Sequence, residues 1–441
     1  MVTVNSASHV GSIGAGHPPR FHTLADWLSW QEGLHSTAID LSLERCRTVA
    51  KRMDLLKPNF GVISVSGTNG KGSSVTMLEM ILRRSGYTTG KFTSPHLHRY
   101  NERICIDGIE VSEPEICESF DRIDKARGDI SLTYFEFGTL AAIELFHRSG
   151  VEIAILEVGL GGRLDAVNIM DADACLVTSI GLDHENWLGF DRNSIGREKA
   201  GIFRNGRPAV CSDPEPPVGV IEYAAEIDVK LELVNKDYTY EVVGDVWNWR
   251  SDGLQYNSLA KPGNNNDGQI QNAAGVLMLL KMISRQFPAS YDAITTAMQD
   301  FRISGRFQLV PGKVSFVLDV AHNPQAAKLL SQNMLTLPRK GKTHCVVGMF
   351  KDKDHALIFK ELSSMVDIWY VVDLDSDRAM PASILVEKLN NLPKPQEIKL
   401  FEDINMTLEY VSLHAGSGDT ILITGSFLTV GAGMSWLGLE A

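Results

Sequence analysis

The chain has 441 residues, 44% of them hydrophobic, which allows two or three domains with folded cores and excludes wholesale disorder. A formal net charge of −12 argues against nucleic acid as a partner, and it means that any anionic substrate must be met by locally gathered cations. The six cysteines form no Cys-x-x-Cys pair, no apolar run reaches the ~18 residues of a membrane span, and residues 1–20 lack a secretory core; a cytoplasmic protein with a loose tail and no membrane contact is expected.

Gly61 to Ser66 is a short apolar, β-branched run and predicts a strand. A glycine-rich turn follows, and then Ser73 to Ser85, with Val75, Leu78, Ile81 and Leu82 at helical spacing. Thr89 to Phe92 predicts another strand, closed by a turn at Thr93-Ser94-Pro95-His96-Leu97. Gly138 to His147 reads as a helix, flanked by Val151 to Val158 and Ala174 to Ile180 as strands buried on both faces. Residues 229–258 break the rhythm with a small antiparallel excursion around Trp247-Asn248-Trp249. A polar loop, Lys261 to Gln271, leads into a helix from Asn272 to Ser284. A second alternating set has candidate strands at Val314 to Val320, His344 to Val347, Ile368 to Val372 and Thr420 to Thr424. The expected fold class is α/β: a P-loop ATPase-like parallel-sheet domain over 21–304, then a smaller Rossmann-like α/β domain over 305–441.

The first chemical motif is Ser66 to Ser74, SGTNGKGSS, set between a strand and a helix. Backbone N–H groups can surround a phosphate where no Cβ intrudes, and a helix N-terminus adds a positive dipole end. Lys71 supplies a point charge, and Ser73 or Ser74 a hydroxyl for magnesium. The match to G-x-x-x-x-G-K-[ST] is imperfect, since Val65 holds the first glycine position and Gly72 separates Lys71 from Ser73. Asn235-Lys236-Asp237-Tyr238 lacks the last Asp of a guanine-reading motif.

Ligand sites in open α/β sheets collect at the carboxyl ends of strands. Glu157 ends one strand and is a natural magnesium ligand, the plainer reading being an ion pair with Arg163. His184, beside Asp183, follows the next strand and is either a metal ligand or a surface residue. Ser94 either points back at the site or merely caps its turn. Arg197-Glu198-Lys199 reads, from residue types alone, as a solvated helix turn. Asp319 ends a strand where a ribose hydroxyl is commonly bound, and Asn323 is placed to cap the helix that follows.

The segments SGTNGKGSS, TSPHL, TYFEF, LEVGLGGRLDAVN, SIGLDHENWLG, REKAGIF, GRFQ and DVAHNP occur in an order that resembles the folylpolyglutamate and dihydrofolate synthases of the Mur-ligase superfamily. The resemblance implies that Thr68, Asn69, Gly70, Lys71, Gly72 and Ser73 bind ATP phosphates, with Asn272, Arg306 and Asp319 completing the nucleotide site. It implies that Ser94, Glu157, His184 and Lys199 hold two magnesium ions, Lys199 being carbamylated into a carboxylate-like ligand, and that a monovalent cation also binds. Catalysis would rest on Lys71, Glu157, His184 and Lys199. The pteroate pocket would comprise Ala38, Ile39, Asp40 and Leu41, then Thr133, Tyr134, Phe135 and Glu136, then Leu164, Asp165 and Ala166, with Ala38 departing from the Thr expected there.

The implied reaction is ATP-dependent ligation of L-glutamate to dihydropteroate and to reduced folates by a monomer. A synthase with the folylpolyglutamate activity alone, a cell-wall Mur-type ligase and a non-catalytic nucleotide-binding protein are the alternatives; intact Lys71, Glu157, His184 and Lys199 argue against the last.

Overall fold

A computed structural model describes residues 19–263 and 267–439. Most of the tail expected at 1–20, and the centre of the expected polar loop, lie outside the described residues. Arg20, the last residue of that tail, is pinned: its Nε donates to Asp124 at 2.8 Å and its guanidinium lies over the Trp30 ring.

The strands in chain order are β1 (Gly61–Ser66), β2 (Thr89–Phe92), β3 (Ile104–Ile106), β4 (Ile109–Glu110), β5 (Ile153–Glu157), β6 (Ala174–Val177), β7 (Ala209–Cys211) and β8 (Leu231–Leu233). They form one eight-stranded sheet in the order β4-β3-β2-β5-β1-β6-β7-β8, antiparallel only at the β3 and β4 edge. Central β1 is buried along its whole length because helices cover both faces. Its side chains alternate accordingly: Val62 joins the core containing Trp27, Phe120 and Phe137, while Ile63 and Val65 join the core under helices Lys71–Arg84 and Asp267–Ile283. β1 pairs in parallel with β5 on one side and β6 on the other, so Ser66, Glu157 and Val177 end at the same edge. This is the switch point at which an open sheet leaves a crevice.

The antiparallel excursion is a three-stranded sheet of β9 (Tyr238–Val243), β10 (Val246–Ser251) and β11 (Leu254–Ala260). Trp247 and Trp249, two residues apart on β10, turn the same way into the second core. Each indole N–H is satisfied, Trp247 by Ala260 O at 3.0 Å and Trp249 by Ala274 O at 3.1 Å. The helix after it begins at Asp267, five residues before the Asn272 start that composition predicts. Its polar first turn is helical because burial decides: Ile270 enters the core and Gln269 donates to Ser73 Oγ at 3.1 Å.

A six-stranded sheet follows, built from β12 (Gln308–Val310), β13 (Ser315–Asp319), β14 (Thr343–Val347), β15 (Ile368–Val372), β16 (Glu397–Phe401) and β17 (Thr420–Thr424). Its order is β12-β13-β17-β14-β15-β16, with only β12 antiparallel. Asn323 caps helix Pro324–Thr336 by accepting from Ala326 N at 2.9 Å.

Trp249 is 1% exposed and its indole is hydrogen-bonded to the helix that flanks the crevice. Trp249→Ala is therefore expected to lower the unfolding free energy by about 3–5 kcal/mol, read from urea denaturation.

Candidate functional site

The turn after β1 runs from Gly67 to Gly70, with positive φ of 147° and 91° at those two glycines. A Cβ at Gly67 would collide with the Thr178 hydroxyl, and one at Gly70 with the Asn272 amide, so both are glycines for steric as well as conformational reasons. Thr178 and Ser179 hydroxyls donate to Asn69 O, and Thr68 exchanges hydrogen bonds with Gly181. The turn is thus held rigidly against the end of β6.

Lys71 Nζ folds back onto its own turn, donating to Gly67 O at 3.1 Å and Thr68 O at 3.3 Å. Lys199, from helix Arg192–Ala200, donates to the same Gly67 O at 2.8 Å. The solvated-turn reading of Lys199 is therefore incorrect: the side chain is 4% exposed, while Arg197 carries the helix's outer face and pairs with Glu226. Helical geometry explains this, since residues two apart point to different sides. Burial, with Lys71 close by, pushes the Lys199 ammonium down to about 7.

Glu157 lies beneath Gly72, whose added Cβ would sit 3.3 Å from Oε2, and that oxygen accepts from Ser94 N at 3.1 Å. Burial raises the Glu157 carboxyl and Lys71 draws it partly back. Arg163 does not pair with it; Arg163 points outward and forks onto Glu198. Ser94 thus reaches the site through its backbone. Ser73 Oγ is engaged by Gln269, whereas Ser74 Oγ is buried with no partner among the described residues.

His184, φ 53°, stands just before a short helix, Glu185–Leu188. Burial lowers it to about 4, which leaves the neutral, ligand-competent imidazole at neutral pH. Its ring nitrogen, Asp183 and Asp352 place ligand atoms within 4.8 Å of one another. The buried Ser74 hydroxyl and the Glu157 and Asp183 carboxylates supply the oxygen donors that magnesium takes, and His184 offers a neutral imidazole beside Asp183.

The second sheet meets this region directly. Lys353 Nζ is 2.8 Å from Asp183 Oδ1 and 3.2 Å from Asp352 Oδ2. Burial alone would raise Asp183, yet Lys353, His184 and His322 hold its carboxyl well below the usual range. Asn69 and Asn323 exchange amide hydrogen bonds at 3.2 and 2.9 Å, and Asn69 also donates to Gln325 at 2.9 Å. Gln269, Lys353 and Gln325 are outside the motifs that the sequence singles out; Lys353 lies in Lys351-Asp352-Lys353-Asp354, which reads as ordinary surface charge.

Arg306 lies over the Phe427 ring at 5.5 Å. Asp319 is engaged by backbone rather than free: Phe307 N and Ala321 N donate to it at 2.8 and 2.9 Å. Burial still lifts its carboxyl to about 6.

Of the residues implied for a pteroate pocket, the structure brings Leu41 to Leu164, and Arg45 bridges Asp40 and Glu136. Leu41 and Leu164 line one hollow of about 530 Å³. Ala38 is exposed and Ile39 half-buried. Thr133 and Glu136 cap helix Tyr134–Ser149 reciprocally, Tyr134 packs edge-on to Tyr100, and the Phe135 ring fills the space that a side chain at Gly159 would need. Asp165 accepts from Leu160 N and Val167 N just before buried Ala166, and burial raises it to about 7.

Residues 305–427 match the family described as Mur ligase, glutamate ligase domain. The chain is 43% identical to the dihydrofolate synthase/folylpolyglutamate synthase of Escherichia coli (strain K12), covering 94% of this chain and 95% of that one. Among solved structures it resembles E. coli FolC in complex with DHPP and ADP, with a TM-score of 0.90, 42% identity and coverage of 96% and 99% of the two chains. It also resembles a bifunctional folylpolyglutamate synthase/dihydrofolate synthase with Mn, AMPPNP and L-glutamate bound, with a TM-score of 0.88, 42% identity and coverage of 96% and 100%.

Lys199 supplies a pH test of the buried site. Between about 7 and its ordinary 10.5, the unfolded chain holds a proton at this position that the folded chain has lost, so its contribution to stability rises with pH across that window. In bicarbonate-free buffer, the unfolding free energy of the native chain should rise relative to Lys199→Met between about pH 7 and 9.5. A gap that stays constant would contradict a depressed Lys199.

Proposed function

The chain belongs to the dihydrofolate synthase/folylpolyglutamate synthase family of the Mur ligases, and from that premise we propose the division of labour by which it joins L-glutamate to its acceptors. It is an ATP-dependent acid–amino-acid ligase that acts on dihydropteroate, giving dihydrofolate, and on tetrahydrofolate, extending the glutamate chain. Residues 21–304 form the catalytic domain and 305–441 the ligase domain, working as a cytoplasmic monomer without nucleic acid. Among the described residues, no helix is long and apolar enough to cross a membrane.

The observation that carries this reading is the pair of lysines on Gly67 O beside Glu157. ATP places its phosphates on the turn Thr68 to Ser73, where Lys71 exchanges its carbonyl partners for phosphate oxygens. Asn272 borders the turn, and Arg306 and Asp319 complete the nucleotide site from the second domain. Ser94, Glu157, His184 and carbamylated Lys199 hold magnesium, which neutralises phosphate charge when bound. The depressed Lys199 suits carbamylation, because only a neutral amine adds to carbon dioxide.

A carboxylate is a poor acyl donor. An oxygen of the pteroate or folate carboxylate attacks the γ-phosphorus, ADP leaves, and an acyl phosphate forms. The glutamate α-amine then adds to the acyl carbon, loses its proton, and the tetrahedral species expels phosphate to leave the amide. Lys71 and the helix N-terminus contribute positioning and charge compensation throughout. The Asn69–Asn323 and Asp183–Lys353 contacts hold the two domains against each other over this region, which supports a closed arrangement that keeps water from the anhydride.

Phosphate release should require ATP, L-glutamate and either dihydropteroate or a reduced folate together; release only with a UDP-linked acceptor, or with none, would overturn the reading. Lys71→Ala should cut turnover by at least about a hundredfold while leaving the chain folded, read from circular dichroism, since the side chain packs no core.

A further inference from the structure

Resting on the reading that residues 38–41, 133–136 and 164–166 hold the pteroate end of the acceptor, we infer that Arg45 is the positioning residue of that pocket. Its guanidinium fixes where the Asp40 segment lies against the N-terminus of helix Tyr134–Ser149, and so sets acceptor affinity.

Between Gly33 and Leu43 the chain forms neither helix nor strand, so no backbone ladder locates it. Side chains do so instead. Arg45 Nη1 donates to Asp40 Oδ2 at 2.9 Å, and Nη2 reaches both Asp40 O at 3.2 Å and Glu136 Oε1 at 3.1 Å. Its Nε donates to Glu136 Oε2 at 3.5 Å. Glu136 is itself immobile, because the same Oε2 accepts from Thr133 N at 2.8 Å in the helix cap. His35 adds a second brace, lying between Ser131 Oγ at 2.9 Å and Asp40 Oδ2 at 3.1 Å.

Arg45 thus ties a loop without secondary structure to a rigid helix end, 91 residues apart in sequence. Leu41 and Leu164 line a hollow completed by Arg47, Thr48 and Lys51 of helix Glu44–Arg52, and neither Arg45 nor Glu136 reaches it, so Arg45 acts through the segment it holds. A planar fork is needed to bridge a carboxylate, a carbonyl and a second carboxylate at once; a lysine ammonium carries the charge but not the geometry.

Arg45→Lys is expected to raise the KM for dihydropteroate and for tetrahydrofolate roughly ten- to a hundredfold, with kcat, the KM for ATP and the melting temperature unchanged. Asp40→Asn should reproduce that KM rise. Leu164→Arg, which blocks the hollow itself, serves as the control for the pocket. If Leu164→Arg raises acceptor KM and Arg45→Lys does not, Arg45 has no positioning role. If Leu164→Arg also leaves acceptor KM unaltered, the pocket reading fails and takes the inference with it. A fall of melting temperature and kcat together with a rise of every KM, that for ATP included, in Arg45→Lys would make the residue structural and overturn the inference.

Discussion

Two ammonium groups, Lys71 and Lys199, share one acceptor, the carbonyl oxygen of Gly67. Placing like charges on one oxygen inside a protein is unfavourable unless something compensates, and here Glu157 lies close by with Asp183 and Asp165 contributing at longer range. Much of the N-terminal domain can be understood as the scaffold for that arrangement. β1 carries the turn, β5 brings Glu157, helix Arg192–Ala200 brings Lys199, and the parallel pairing of β1 with β5 and β6 ends all three strands together. In a chain of net charge −12, two lysines gathered on one turn are the local cations that an anionic substrate requires.

The buried carboxyls follow the same physics in the opposite sense. Glu157, Asp165 and Asp319 are all raised by removal from water, and each is restrained by backbone N–H donors or a neighbouring cation. Three acids that resist ionisation and two lysines that resist protonation are the expected signature of a site whose charges are completed by a ligand. For Asp183 the balance differs, because Lys353 is already in contact with it.

The buried strands were the most legible part of the molecule. β1, β15 and β17 occupy the residues that apolar, β-branched runs predict, since strands buried on both faces leave an unbroken mark. Edge strand β16, with the sequence Glu-Ile-Lys-Leu-Phe, leaves only a half-exposed alternation and was not foreseen. The phosphate turn was readable because its glycines are dictated locally. Lys199 was not: its neighbours Arg197 and Glu198 are surface residues, and only the direction of the helix decides which charge turns inward; family resemblance supplied what residue type could not. Lys353 and Gln325 left no mark because their partners are over a hundred residues away. The same is true of Arg45, whose meaning appears only when Glu136 is beside it.

Two of the contacts that join the two sheets' ends, Asp183–Lys353 and Asn69–Asn323, are chemically unlike. Asp183–Lys353 is an ion pair, and its strength varies with acidity and, to the extent that water reaches it, with ionic strength. Asn69–Asn323 is a neutral amide dimer with a donor and an acceptor on each side, indifferent to both. Because Asn69 also belongs to the turn after β1, mutual alignment of the two halves is tied to the turn proposed to hold the nucleotide. Solution conditions can therefore loosen one fastening while the other still ties that turn to the opposite half.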